Sequence, residues 1–112
     1  MNNIKHSSKS DRWFTPPKII EMVREVLGSI ELDPASEPKA NQIVKADRFI
    51  SENSLSVEWK AKTVYLNPPG SKDGNKSKAG LFWQKLVKEY EAGNIEEAIF
   101  MGFSMENFGG SR

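Results

Sequence analysis

Three segments of the chain carry apolar residues at the three-to-four-residue spacing of an amphipathic helix. The first would begin at Thr15-Pro16-Pro17, where threonine is a preferred N-cap and proline fits the first turn, and it is closed by Gly28. The second has a thinner apolar face and would be led by Pro34. The pattern predicts helices over residues 16–27, 35–44 and 81–91.

Short extended segments stand between and after these helices. Thr63–Leu66 is the clearest strand, and Asn67-Pro68-Pro69-Gly70 closes it sharply. A nearly continuous apolar run near the carboxyl end is typical of a strand covered on both faces. The predicted extended segments are residues 29–33, 47–51 (a short strand or a bend), 63–66 and 98–103. A polar loop is predicted over residues 71–80.

The alternation of strands and helices favours an α/β sandwich with a mainly parallel sheet of about four strands. We assign residues 1–11 to a flexible polar tail and residues 12–108 to the folded domain. In parallel sheets, ligands bind outside the carboxyl ends of the strands. Two short motifs, Leu32-Asp33-Pro34-Ala35 and Asn67-Pro68-Pro69, stand at such strand ends. We therefore expect a binding site at that edge of the sheet.

The amino-acid composition limits the kinds of catalytic and metal site that the protein can have. The chain has 112 residues with 38% hydrophobic and 28% charged positions, which is typical of one globular domain. It has no cysteine and a single histidine, His6, which excludes thiol nucleophiles, disulfides and cysteine-ligated zinc. No apolar run is long enough for a membrane span. Because residues 1–12 are polar and lack an apolar segment, we expect no secretory signal. A cytoplasmic protein is the expectation.

The formal net charge of +1 predicts no global attraction to nucleic acid. The basic residues are nevertheless unevenly distributed, and three of them fall in the polar loop that follows the clearest strand: Lys72, Lys76 and Lys78. Such a segment is either a solvated loop or a contact with phosphates or with a protein partner.

Asn67-Pro68-Pro69 is the most informative motif. Two prolines fix the backbone, so that the Asn67 side chain and a proline carbonyl can together accept two hydrogen bonds from one exocyclic amino group. The alternative is a strand stopped by two prolines, with asparagine as a turn residue. Asp33 also has two interpretations. It would either accept hydrogen bonds from a small cofactor or cap the following helix.

Four motifs follow one another along the chain: Trp13-x-Thr15-Pro16, Leu32-Asp33-Pro34-Ala35 with Asn41, Asn53-Ser54-Leu55 with Trp59, and Tyr65-Leu66-Asn67-Pro68-Pro69. In this order they resemble the motifs of the phage-type, Dam-like DNA N6-adenine methyltransferases. The resemblance implies a partial Rossmann-like core that uses S-adenosylmethionine. It implies a cofactor site formed by Trp13, Thr15, Pro16, Asp33 and Asn53. It also implies that Asn67, Pro68 and Pro69 hold the amino group of a flipped adenine.

Two features leave the function open. First, many relatives carry an aromatic residue after the Asn-Pro-Pro motif, where this chain has Gly70. Second, relatives continue beyond the last predicted strand, so that the chain resembles a C-terminally truncated member of the family. One hypothesis is an active methyltransferase that binds DNA, alone or as a homodimer through the edge strand. A second is an inactive methyltransferase-derived binding protein, such as a phage-encoded inhibitor (an anti-CRISPR or other anti-defence protein) acting on a host protein complex. A third is a cofactor-binding or structural fragment.

Overall fold

Four parallel strands form the central sheet. The structure is a computed structural model that describes residues 14–70, 72–73 and 76–102. Within these residues the sheet consists of β1 (Leu32–Asp33), β2 (Arg48–Phe49), β3 (Ala61–Leu66) and β6 (Ile95–Phe100), in the order β2-β1-β3-β6. Each neighbouring pair is parallel, which confirms the predicted fold class. Strands β4 (Lys72–Asp73) and β5 (Lys76–Ser77) form a separate antiparallel pair.

Three helices accompany the strands: α1 (Pro17–Leu27), α2 (Pro38–Val44) and α3 (Lys78–Glu91). The predicted start of α2 was wrong because Pro38, and not Pro34, lies in its first turn. Helix α3 begins within the predicted polar loop because the Ser77 hydroxyl oxygen accepts a hydrogen bond from the Gly80 N–H at 2.9 Å. Helix α1 ends as expected at Gly28, whose φ of 87° suits glycine.

The helices cover opposite faces of the sheet. Helix α1 buries Ile20, Val23 and Leu27 against a cluster that includes Val44 of α2 and Tyr65 of β3. The opposite face of β3 packs against α3 in a second cluster, whose main members are Leu32, Trp59, Val64, Leu66, Phe82 and Leu86. Because side chains alternate along a strand, Tyr65 and its neighbours Val64 and Leu66 belong to different layers. The molecule is a three-layer sandwich.

Strand β6 lies at one edge of the described sheet. Its register pairs Ile95 with Ala61 and Phe100 with Leu66, so the strand begins three residues before the predicted apolar run. Glu96 and Glu97 are exposed on it, and the residues that follow them are half-buried. Ala98 and Phe100 pack against the cluster on the α3 side, and Ile99 packs against the cluster on the α1 side, so the strand is covered on both faces only in part. An open groove of about 810 Å³ runs beside β6, between the ends of α1 and α3.

No helix in the described part of the chain is long and apolar enough to cross a membrane.

Candidate functional site

The site lies at the carboxyl ends of β1 and β3. From β1 the chain passes to β2 on one side, and β3 then returns to the other side of β1. Parallel sheets bind ligands at such a change of direction, in the crevice beyond the strand ends. Asp33 ends β1, and Asn67 follows β3 directly. The topology thus brings the two motifs singled out in the sequence to the same crevice.

Thr15 joins Asn67 to Tyr65. The Asn67 Nδ2 group donates a hydrogen bond to Thr15 Oγ1 at 3.1 Å, and Thr15 Oγ1 is also hydrogen-bonded to the Tyr65 hydroxyl. Thr15 is only 4% exposed and Tyr65 is fully buried. The prediction of Thr15 as a helix cap was wrong, since Pro16 is the N-cap of α1 and no side chain caps it. Its hydroxyl belongs to the site instead.

The Tyr65 hydroxyl keeps its proton. Burial raises the pKa of Tyr65 to about 12, the hydrogen bond with Thr15 partly opposes this rise, and the negative charge of Asp33 adds to it. A phenol with so high a pKa is neutral at every pH at which the protein would be studied. Tyr65 therefore acts here as a hydrogen-bonding group and not as a base.

Asp33 is almost completely buried, with 2% of its surface exposed. Its Oδ1 accepts a hydrogen bond from the Ala35 N–H at 3.1 Å, which forms a tight turn after β1. The interpretation of Asp33 as a cap of α2 was wrong, because that helix begins later, with Glu37 as its N-cap. Asp33, Thr15, Tyr65 and Asn67 line one small cavity of about 20 Å³, enough for about one water molecule.

A larger groove of about 380 Å³ adjoins this cavity, since Ala35 lines both. The apolar walls of this groove are formed by Pro34, Ile50, Leu55, Pro69 and Phe82. Its polar rim is formed by Glu52, Asn53, Lys78 and the serines at positions 51, 54 and 56. Asn53 is exposed and adopts a left-handed conformation with φ of 57°, which asparagine tolerates better than most residues. The loop between β2 and β3 therefore builds one side of the groove.

Trp59 holds that loop in place from behind. Its indole Nε1–H donates hydrogen bonds to the Ser54 carbonyl at 2.9 Å and to Ser54 Oγ at 3.1 Å. Its ring stacks on Phe82, with 5.9 Å between centroids and an interplanar angle of 28°. Trp59 is fully buried. It touches both walls of the groove without lining it.

The predicted site residues are only partly brought together. Thr15, Asp33 and Asn67 share the small cavity, whereas Asn53 and Pro69 line the larger groove. Two further predicted residues line neither cavity: Pro68 is buried, and Pro16 is exposed at the start of α1. Trp13 lies outside the described residues, and so do the side chains of Lys72 and Lys76. Lys78, predicted as a nucleic-acid or partner contact, lines the groove.

Sequence reasoning missed Tyr65, Ile50 and Phe82 as site residues. One signal was available for Tyr65, because residues two apart along a strand share a face. A tyrosine two positions before Asn67, in an otherwise aliphatic strand end, is therefore directed to the same layer as Asn67. Ile50 and Phe82 carry no local signal of this kind, since they meet only when the β2–β3 loop and α3 are packed together.

The strand order, the helices on both faces and the polar crevice at the strand ends define a Rossmann-like α/β protein of the methyltransferase type. The family model of DNA N-6-adenine-methyltransferase (Dam) matches residues 2–97, and the chain belongs to this family. The resemblance inferred from the ordered motifs is thereby confirmed. Comparisons with curated proteins and with solved structures gave no significant match. Methyltransferases in general use S-adenosylmethionine as the methyl donor.

Proposed function

We propose that this chain binds S-adenosylmethionine in the 380 Å³ groove and transfers its methyl group to the N6 amino group of adenine in DNA. One observation carries the proposal. Asp33 and Asn67, from separate motifs, lie in one cavity at the change of strand direction, and this cavity adjoins a groove of ligand size.

The groove fits the cofactor in size and in chemistry. Its volume falls within the range of about 300–1,000 Å³ that small-molecule sites occupy. Pro34, Ile50 and Phe82 offer apolar surface for a purine ring. From the adjoining small cavity, the Asp33 carboxylate would accept hydrogen bonds from the cationic amino-acid end of the cofactor. Asn53, in the groove itself, would lie near its adenine. When bound, S-adenosylmethionine supplies an electrophilic methyl group on a sulfonium.

Asn67, Pro68 and Pro69 would hold the target. The Asn67 amide oxygen and the Pro68 carbonyl would accept the two N–H bonds of an adenine amino group, which draws its nitrogen towards tetrahedral geometry and exposes the lone pair. The adenine must leave the base stack to reach this motif. Methyl transfer depends mainly on the alignment of donor and acceptor, so the absence of cysteine and the single histidine are no obstacle.

Cofactor binding is tested with Asp33→Asn, which retains an oxygen acceptor for the Ala35 N–H and removes the charge. Loss of a hydrogen bond to a charged group costs about 1.5–3 kcal/mol, so S-adenosylmethionine should bind about 10- to 100-fold more weakly by titration calorimetry. Asp47→Asn makes the same change at an exposed position outside the site and should bind like the original protein. Equal affinity of both variants would overturn the assignment of Asp33.

Methyl transfer is tested with labelled cofactor and mixed-sequence DNA. Asn67→Ala should lower the rate by about a hundredfold while leaving cofactor affinity nearly intact, because a directed contact in the transition state contributes about 2–4 kcal/mol. Asn94→Ala removes an asparagine side chain whose partners, Glu58 and Glu89, are outside the site, and it should retain activity. Absence of label from folded original protein that binds the cofactor would refute the proposed enzymatic function.

A further inference from the structure

We propose that Tyr65 is a positioning residue that, through Thr15, fixes which end of the Asn67 amide faces the target. This inference rests on the proposed function, because the target is taken to be an amino group. The chain of groups runs from the Asp33 carboxylate to the Tyr65 hydroxyl, the Thr15 hydroxyl and the Asn67 amide nitrogen, all of which line one cavity.

The need for such a device follows from the asparagine side chain itself. Its amide has an oxygen acceptor at one end and a nitrogen donor at the other, and rotation by half a turn exchanges them. An amino group that is to be held through its N–H bonds requires the oxygen. An inverted amide would present N–H to N–H, which repels the target. The orientation of the Asn67 amide therefore decides whether the site binds adenine productively.

Thr15 alone would leave that orientation open. A threonine hydroxyl both donates and accepts, so it would pair with either end of the amide. In the structure Thr15 Oγ1 accepts from Asn67 Nδ2 at 3.1 Å and is also hydrogen-bonded to Tyr65. If the Thr15 hydroxyl donates its hydrogen bond to the Tyr65 oxygen, Thr15 can only accept a hydrogen bond from Asn67. The nitrogen then faces Thr15 and the oxygen is held on the opposite side.

Asp33 sets the direction in which the hydroxyl groups of Tyr65 and Thr15 donate their hydrogen bonds. The buried Asp33 carboxylate lines the same small cavity as the Tyr65 and Thr15 hydroxyls. Its negative charge favours a phenol hydrogen turned towards Asp33 and oxygen lone pairs turned towards Thr15. Burial keeps the Tyr65 proton in place, in agreement with a pKa of about 12. Each hydroxyl then donates towards Asp33 and accepts from the side of Asn67. In this way the negative charge of Asp33, at the end of β1, determines the orientation of the amide of Asn67, which follows β3.

The first test observes the Asn67 side-chain NH₂ group by ¹⁵N NMR, which requires no catalysis. The original protein should show one pair of well-separated NH₂ signals, assigned by their loss in Asn67→Ala. Tyr65→Phe and Thr15→Val should bring these signals together or lower their order parameters, whereas Thr15→Ser, which keeps the hydroxyl, should preserve them. Tyr90→Phe is the matched control, since Tyr90 is 55% exposed on α3.

The second test separates positioning from cofactor binding. Loss of one hydrogen bond that aligns the amide should lower kcat for methyl transfer by about two- to tenfold in Tyr65→Phe, with KM for S-adenosylmethionine within twofold of the original. Unchanged NMR signals and unchanged kcat in this variant would overturn the proposal. Should Tyr65→Phe fail to fold, identical NMR signals in Thr15→Val and Thr15→Ser would overturn it. If the signals respond as expected and the original protein transfers no methyl group, the orientation stands and the proposed function fails.

Discussion

Replacement of Trp59 by phenylalanine should loosen the 380 Å³ groove without altering a residue that lines it. The change removes the indole N–H that donates to Ser54 O and Ser54 Oγ. The Ser54 carbonyl keeps a hydrogen bond from the Val57 N–H at 3.3 Å, but the Oγ atom of a residue that is only 7% exposed loses this donor. We therefore expect a loss of about 1–2 kcal/mol from hydrogen bonding.

Packing adds to this cost. Trp59 is fully buried and stacks on Phe82, so a smaller ring leaves an unfilled volume that costs about 1 kcal/mol. The free energy of unfolding should fall by about 2–3 kcal/mol in total, a large part of the roughly 5–15 kcal/mol that stabilises a domain. S-adenosylmethionine should also bind more weakly, because the loop that carries Asn53 and Ser54 forms one side of the groove.

The assay is urea unfolding followed by far-ultraviolet circular dichroism, which does not depend on tryptophan emission. Trp83→Phe is the matched control: Trp83 is 48% exposed, and a phenylalanine there retains an aromatic contact with Phe100. That variant should stay within about 0.5 kcal/mol of the original protein. If Trp59→Phe and Trp83→Phe are equally stable, the hydrogen bonds to Ser54 do not support the groove and the reasoning fails.

Three further predictions concern the target, acid stability and assembly. Because Gly70 offers no ring to stack on an extruded base, methyl transfer should be faster on single-stranded or mismatched DNA than on duplex, and a preference for duplex in the labelling assay would contradict this. Burial would raise the pKa of Glu89, but hydrogen bonds from Lys85 and Asn94 and the Lys85 charge lower it below 4.5; the resulting stability is present above the ordinary carboxyl pKa and is lost as pH falls through the lowered one. Glu89→Gln should therefore flatten the acid limb of a stability–pH curve, and an unchanged limb would show that Glu89 does not contribute to it. A homodimer through β6 stays a prediction: Val26→Glu, at the groove beside β6, should reduce association measured by light scattering more than Met22→Glu, an exposed position on α1 that does not line the groove, whereas a monomeric original protein would refute it.

The sequence by itself determined the fold class and the order of the motifs. Strand β3 was recognisable because Thr63–Leu66 is a buried apolar run that Asn67-Pro68-Pro69 must end, since proline cannot donate to a sheet. Gly28 stopped α1 as predicted, because a φ of 87° suits glycine. These are local effects, in which a residue and its immediate neighbours limit the backbone. The family, too, was recognisable from the ordered motifs, and the match over residues 2–97 confirms it.

Tertiary structure decided the contacts that make the site. Thr15 has the local character of a helix cap, yet its partners Tyr65 and Asn67 are 50 and 52 residues away along the chain. Nothing in the pattern around Thr15 states that α1 packs on the face of β3 that carries Tyr65. The start of β6 was predicted three residues too late for the same reason. Pairing with β3 extends the strand back to Ile95, and Glu96 and Glu97 remain exposed on this edge strand. Backbone conformation follows from neighbours in sequence, whereas the partner of a buried hydroxyl follows from which layers meet.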